Sequence, residues 1–305
     1  MSPVPDLTID ALTARPVRRA SLLLALRPGP EIAVVLRDAD DGSFVQVPGL
    51  PADPQARLLG LAPAGDRLIL LAEHEGRRFG GLCLHTLATG EQRWLSAHVD
   101  GQDWLAALSP DGRTMATLAT ADSEDIAFVN VVDIASGQRR RLATVPGGYA
   151  AESAVSWSPD SRLIAATYLT HQEEDATLVI EANGAPVGHF SDAAMLSGSN
   201  GTWITAESLA CLNSACELTA IDVRRGARRP LAAASPPPLA IVGDRFVQQL
   251  PEPPDDAIHF VTLDLDGGDQ RPYLTIRPAC HLETFGHAPA RRLESPPQRH
   301  DAPIR

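Results

Sequence analysis

The chain has 305 residues, with 26 basic side chains against 38 acidic ones and a net charge of −12 at pH 7. All the basic residues are arginine, which excludes chemistry that needs a side-chain amine, such as Schiff-base formation or phosphate binding by a loop lysine. The acidic excess argues against nucleic acid or anionic lipid as a partner, because both attract cationic proteins. An apolar content of 44% is ordinary for a folded domain with a sizeable core.

The N-terminal segment predicts an arm outside the main repeat. Residues 1–19 lack the cationic start and apolar run of a secretory signal. No apolar stretch of the chain approaches the roughly 18 residues of a membrane-spanning helix. We therefore expect a cytoplasmic protein with no membrane partner, whose N-terminal arm can contribute a strand. The exclusive use of arginine indicates a high-GC bacterial genome.

One short motif recurs along the chain. It reads Leu108-Ser-Pro-Asp-Gly-Arg113 in one copy and Trp157-Ser-Pro-Asp-Ser-Arg162 in the next. Degenerate copies begin at Leu61 and Trp203, so that the four copies start 46 to 49 residues apart. A repeat of this length is typical of propeller blades.

A second marker is a glycine turn that follows a stretch of alternating apolar residues. Six such turns occur, 42 to 48 residues apart, at Gly42, Gly90, Gly137, Gly184, Gly226 and Gly268. Two independent markers with the same period indicate six copies of one four-stranded unit.

The strands of one unit can be read from its pattern. Residues 104–108 are almost continuously apolar, as expected of an innermost strand covered on both faces. The Ser-Pro-Asp-Gly turn leads to strands at 114–118 and 126–134, and Gly137 turns the chain into an outermost strand at 138–143. Arginines on this last strand obstruct pairing with the edge of another molecule.

These patterns predict an all-β fold, a six-bladed β-propeller of four-stranded antiparallel blades, with six blades favoured over seven. Residues 20–287 form one propeller domain, and residues 288–305 form a flexible, Pro- and Arg-rich tail. The first unit supplies three strands between Leu22 and Val47. Its fourth strand comes either from residues 7–12 or, by closing the ring, from residues 280–285.

The repeat of Trp or Leu, Ser-Pro-Asp-Gly or Ser-Pro-Asp-Ser, an apolar strand and a glycine hairpin resembles the TolB-like propeller repeat, a relative of WD repeats. The resemblance spans residues 20–285 and concerns residues that build turns. It implies the fold, and it implies protein-interaction platforms, scaffolds and propeller-linked hydrolases as functions to consider.

Motifs with a specific chemistry are missing. Ser197-Gly-Ser-Asn-Gly201 has the wrong spacing for a nucleophile elbow, and no dinucleotide fingerprint occurs. The pair Cys211 and Cys216 is compatible with free thiols, a local disulfide or half of a metal site. We expect no cofactor, with Ca²⁺ or another divalent ion in the central channel as the alternative.

The two sides of the predicted disk differ in charge. We call the side with the Ser-Pro-Asp turns and glycine hairpins the hairpin face. The other side carries the loops between second and third strands and the loops that enter each blade, and we call it the loop face. The loop face is rich in acid, for example at Asp122, Glu124, Glu173 and Glu174. Candidate binding residues at the channel mouth and in these loops are His98, Asp100, Asp103, Trp104, Tyr149, Glu152 and His171.

Two functions fit this sequence. The first is a non-catalytic binding module or protein-interaction scaffold, a monomer that holds a protein partner or a cationic small ligand on its acidic face. The alternative is a propeller-type hydrolase or lyase with a metal or ligand site in the central channel. The absence of catalytic motifs favours the first.

Overall fold

A computed structural model describes residues 5–27, 33–48, 50, 57–74, 77–95, 101–121, 126–148, 154–196, 202–231, 238–242, 244–250, 257–277 and 281–287. These residues form strands almost throughout, and a 3-10 helix covers Ile9–Ala11. The strands build six antiparallel blades in a ring. The predicted all-β, six-bladed propeller is therefore confirmed.

The strands follow one another blade by blade. The N-terminal arm contains β1 (Asp6–Thr8) and β2 (Thr13–Ala14). Blade one contains β3 (Ala20–Arg27), β4 (Ala33–Asp38) and β5 (Phe44–Gln46), and blade two contains β6 (Arg57–Leu61), β7 (Arg67–His74), β8 (Arg77–Thr86) and β9 (Gln92–Leu95). Blade three contains β10 (Gly101–Leu108), β11 (Thr114–Ala121), β12 (Ile126–Asp133) and β13 (Arg139–Pro146).

The second half of the ring is less regular. Blade four contains β14 (Ala154–Trp157), β15 (Leu163–Leu169), β16 (Asp175–Glu181) and β17 (Pro186–Ser191). Blade five contains β18 (Ala194–Met195), β19 (Trp203–Thr205), β20 (Ser208–Leu212), β21 (Leu218–Asp222) and β22 (Arg228–Pro230). Blade six contains β23 (Ala240–Val242), β24 (Arg245–Gln249), β25 (Ile258–Asp264) and β26 (Arg271–Arg277), and β27 (His281–His287) ends the described chain.

The core consists of apolar layers between neighbouring blades. Because side chains alternate along a strand, an apolar run can cover two neighbours at once. In β3, Leu22 and Leu24 pack against blade six, whereas Leu23 packs against blade two. Among the described residues, six buried clusters occur, one at each of the six blade interfaces.

Both ends of the described chain lie at the junction of blades one and six. The C-terminal strand β27 pairs antiparallel with β3 and becomes the innermost strand of blade one. Of the two alternatives for this strand, the C-terminal one is therefore correct. The arm crosses the outside of the same junction, where β1 pairs in parallel with β26 and β2 pairs in parallel with β5.

Glycine is required in the degenerate turn of blade two. Gly65 has φ +72°, a conformation that L side chains rarely adopt, and its Cα approaches the backbone carbonyl of Ala20 too closely for a Cβ. The backbone N–H of Ala20 donates to the carbonyl of Gly65 at 2.6 Å. This turn therefore joins blade two to blade one through backbone alone.

No helix in the described part of the chain is long and apolar enough to cross a membrane.

Candidate functional site: the loop face

The hairpin face is built from turns whose polar groups bond to one another. In blade four, the hydroxyl of Ser158 donates to Oδ1 of Asp160 at 2.6 Å and accepts from the backbone N–H of Leu163 at 2.9 Å. The backbone N–H of Asp111 in blade three donates to the hydroxyl of Ser161 at 3.1 Å. The motif thus closes its turn in blades three and four, and it links the turn of blade three to that of blade four.

In the glycine hairpins on this face, aspartate carboxylates accept hydrogen bonds from residues of the same hairpin. Oδ1 of Asp133 accepts from both the backbone N–H and the hydroxyl of Ser136, each at 2.7 Å. These bonds favour the ionised form and lower the pKa of Asp133 below its ordinary value. Oδ1 of Asp222 likewise accepts from the backbone N–H groups of Arg224 and Arg225.

The arginines of the outermost strands connect neighbouring blades. Arg93 in blade two donates to the carbonyl of Ala135 in the hairpin of blade three at 2.9 Å. Arg140 in blade three donates to the carbonyls of Ala182 and Asn183 in the hairpin of blade four at 2.8 and 2.9 Å. Besides occupying an edge, these side chains therefore bond blade two to blade three and blade three to blade four.

The loop face presents a different arrangement at blade four. The turn between β15 and β16 is closed by its backbone, since the N–H of Thr170 donates to the carbonyl of Glu174 at 2.9 Å. His171, Glu173 and Glu174 are exposed on this turn. Among the described residues, neither the Glu173 nor the Glu174 carboxylate has a hydrogen-bond or ion-pair partner. Two negative charges are therefore open to an external cation.

Asp192, also on the loop face, is already engaged. Its Oδ1 accepts from the backbone N–H of Ser214 in blade five at 2.6 Å. Arg228 donates to the carbonyl oxygens of Ser191 and Asp192. Asp192 therefore joins blades four and five and is less available than the neighbouring glutamates.

Asp103, a predicted site residue, lies on the side of blade three that faces blade two. Its carboxylate accepts two hydrogen bonds from the guanidinium of Arg139, at 2.7 and 2.8 Å. Arg139 also donates to the hydroxyl of Thr117 at 3.1 Å. The side chains of Asp103 and Arg139 are only 3% and 13% exposed. The geometry assigns this carboxylate to an ion pair inside the blade interface.

The remaining predicted residues are placed as follows. Trp104 is half-buried, and its Nε1 donates to the hydroxyl of Thr120 at 2.8 Å. His171 is exposed on the turn between β15 and β16 of blade four. Four further predicted residues lie outside the described part of the chain: His98, Asp100, Tyr149 and Glu152.

Tyr168 and His189 form a pair that no sequence motif indicates. The hydroxyl of Tyr168 lies 2.8 Å from Nε2 of His189. Burial raises the pKa of Tyr168 above its ordinary value. Next to this pair, the backbones of Gly148 and Leu169 exchange two hydrogen bonds, at 2.9 and 3.1 Å. Tyr168 and His189 are 21 apart in sequence and lie on β15 and β17, so the pairing of both strands with β16 brings them together.

Metal and thiol chemistry can be assessed for the described residues. They contain no group of three His, Cys, Asp or Glu side chains able to hold a metal ion. Cys211 is buried and Cys216 is exposed, and both are free thiols. Burial raises the pKa of Cys211 to about 12, so this thiol stays protonated at neutral pH. Cys280 lies outside the described residues.

Comparison with known proteins identifies the fold. No protein-family model and no curated protein matches the sequence. Among solved structures, TolB from Acinetobacter baumannii is similar with a TM-score of 0.62 and 16% identity, over 89% of this chain and 67% of TolB. The chain thus has the fold of TolB-like propellers, as its repeat predicted.

Two other propellers have the same fold. A structure of the nidogen/laminin complex matches with a TM-score of 0.54 and 14% identity, over 89% of this chain and 100% of the other. An oligogalacturonate lyase in complex with manganese matches with a TM-score of 0.54 and 14% identity, over 79% and 70% of the two chains. At these identities the similarity concerns the fold alone.

Proposed function

We propose that this protein is a non-catalytic binding module, a protein-interaction scaffold whose loop face holds a cationic segment of a partner protein or a cationic small ligand. The observation that carries the proposal is the contrast between the two faces. Aspartates that close the glycine hairpins of the hairpin face, such as Asp133 and Asp222, are bonded to backbone N–H groups of their own turns. Glu173 and Glu174 on the loop face are exposed and have no such bonds to described residues.

Uncompensated carboxylates on one face attract cations and orient an approaching partner. The sequence prediction places further acidic residues on this face, at Asp122, Glu124, Asp125, Glu252, Asp255 and Asp256, all outside the described part of the chain. A propeller of this fold occurs in a complex between two proteins, nidogen and laminin. That example supports a protein as the partner class.

The alternative is a lyase or hydrolase with a divalent metal in the channel. It is motivated by the fold similarity to an oligogalacturonate lyase that was solved with manganese. A rise in the unfolding midpoint on addition of Mn²⁺ or Ca²⁺ would favour this alternative, because a ligand that binds only the folded state stabilises it.

Two charge-reversal variants of equal net charge test the proposal. The first carries Glu173→Arg and Glu174→Arg on the loop face, and the second carries Asp40→Arg and Glu91→Arg on exposed sites of the hairpin face. Each variant raises the net charge of −12 by four. Their binding to a hexalysine peptide is compared with that of the unmodified protein by titration calorimetry.

We expect the loop-face variant to bind at least about tenfold more weakly, a change of about 1.4 kcal/mol. The hairpin-face variant should stay close to the unmodified protein. Equal weakening of both variants would mean that the peptide senses net charge only, and the proposal would then be abandoned.

A further inference from the structure

Blades four and five meet through an interface that contains two buried polar side chains without partners. Nε1 of Trp203 and Oγ of Ser156 are both buried and have no hydrogen-bond partner among the described residues. Trp203 is 5% exposed and Ser156 is 1% exposed. A buried donor or hydroxyl that loses its water without a replacement destabilises a fold, so such groups normally have a partner.

Both side chains belong to the same interface. Trp203 and Ala154 are members of the apolar cluster between blades four and five. Ser156 lies two residues after Ala154 in β14, and residues two apart point to the same side of a strand. The hydroxyl of Ser156 therefore faces blade five, where Trp203 packs.

The preceding interface provides an internal comparison. In blade four, Trp157 occupies the position that Trp203 has in blade five, because each pairs with the strand after the turn, at Ile164 and Leu209. Nε1 of Trp157 donates to the carbonyl of Ala107 in blade three at 2.9 Å. Ser156 occupies the position of Ala107 in the next blade, and Nε1 of Trp203 lacks the equivalent bond to a carbonyl.

The other hydroxyls of this interface are committed. Thr177 donates to the carbonyl of Ala193 at 2.6 Å, so Thr167 is the donor in its 2.7 Å bond to Thr177. The backbone N–H of Met195 donates to Thr167 at 3.1 Å. This chain of bonds fixes β18 against blade four. The hydroxyl protons of Thr167 and Thr177 are both donated to groups other than Ser156.

We propose that one water molecule binds between blades four and five, accepting a hydrogen bond from Nε1 of Trp203 and bonding to Oγ of Ser156. A buried water with polar neighbours is the usual way in which such groups are satisfied. A bond through water thus takes the place of the direct indole-to-carbonyl bond that the preceding interface has. The site is independent of the loop face and of the partner proposed for it.

A crystal structure that resolves ordered water tests this site directly. The expected result is a density peak within hydrogen-bonding distance of both Nε1 of Trp203 and Oγ of Ser156, with no such peak at Trp157. A direct bond from Trp203 to Ser156, with no peak between them, would overturn the proposal.

A stability measurement gives a second readout. With the water in place, Ser156→Ala removes one of its partners, and the urea unfolding midpoint is expected to fall. If the midpoint rises instead, the hydroxyl was buried without a partner, and the bound water is refuted. Substitution by alanine matches the residue found at the equivalent position of blade three, so the variant is expected to fold.

Discussion

At the scale of single residues, burial decides which charges are structural and which are available. Asp103 and Glu173 are both acidic residues that the sequence places toward the loop face. The first forms a two-bond pair with Arg139 inside a blade interface, and the second is exposed on a turn. A local pattern could not separate them, because Arg139 is 36 residues away from Asp103 and reaches it across the blade.

The buried pair predicts a large effect of a small change. Asp103→Asn removes the buried negative charge that accepts two bonds from the guanidinium of Arg139, and we expect the free energy of unfolding to fall by about 3–5 kcal/mol. Arg225→Ala is the control, since its side chain is 83% exposed in its pair with Asp222 and should contribute no more than about 1 kcal/mol. Urea denaturation measures both variants, and equal losses would contradict the assignment.

His85 predicts a pH dependence of stability. Its side chain is buried between blades one and two, and burial lowers its pKa below the ordinary value of 6.5. Above that pH the imidazole is neutral in both folded and unfolded chains. As the pH falls below 6.5, the unfolded chain takes up a proton more readily than the folded one, so the free energy of unfolding decreases.

Urea midpoints between neutral and mildly acidic pH test this prediction. The protein should lose stability over this range more steeply than His85→Gln, by at most about 1.4 kcal/mol per pH unit for one proton. Identical pH profiles for the two proteins would show that His85 carries its proton equally well in the folded state.

At the scale of elements, the turn motif explains why the repeat can be recognised from the sequence alone. Serine, proline and aspartate are needed because their side chains and fixed backbone close the turn, as in the bonds of Ser158 to Asp160 and Leu163. The four strands of blade three were predicted within three residues of their observed bounds for the same reason, since alternation and turn residues are local signals. The short strands β1, β2 and β18 carry two or three residues each, too few for such a signal.

The motif predicts unequal roles for two serines. Ser158→Ala removes the acceptor of a buried backbone N–H at Leu163, and we expect a loss of about 1–3 kcal/mol in the free energy of unfolding. Ser136→Ala removes two hydrogen bonds in an exposed hairpin, one to Asp133 and one from the backbone N–H of Gln138, where water can replace them, and should change stability less. Urea denaturation measures both variants. A larger loss in the free energy of unfolding for Ser136→Ala than for Ser158→Ala would contradict this prediction.

At the scale of the whole molecule, both ends of the described chain seal one junction. Strand β27 completes blade one from inside, and Leu7 of β1 is buried against the cluster between blades six and one from outside. The sequence predicted six units, but it left open which end supplies the missing strand. That choice depends on pairing between β3 and a segment more than 250 residues away, which no local pattern reports.

The fold was therefore largely predictable, whereas the candidate site was predictable only in part. The exposed turn with His171 was identified from its polar composition. The pairing of Tyr168 with His189, and the burial of Asp103, follow from strand register and blade packing. Both pairs join strands that are not adjacent within one blade, so they emerge only from the three-dimensional structure.

The loop face is the proposed binding surface, and zero-length crosslinking shows directly whether a bound peptide lies on it. Because the chain has no lysine, a carbodiimide joins its carboxylates to amines of a bound hexalysine peptide, and the N-terminal amine is the chain's own main competitor. Mass spectrometry then identifies the crosslinked positions. We expect crosslinks at Glu173 and Glu174. Crosslinks centred on Asp40 and Glu91 would instead show that the peptide binds to the hairpin face.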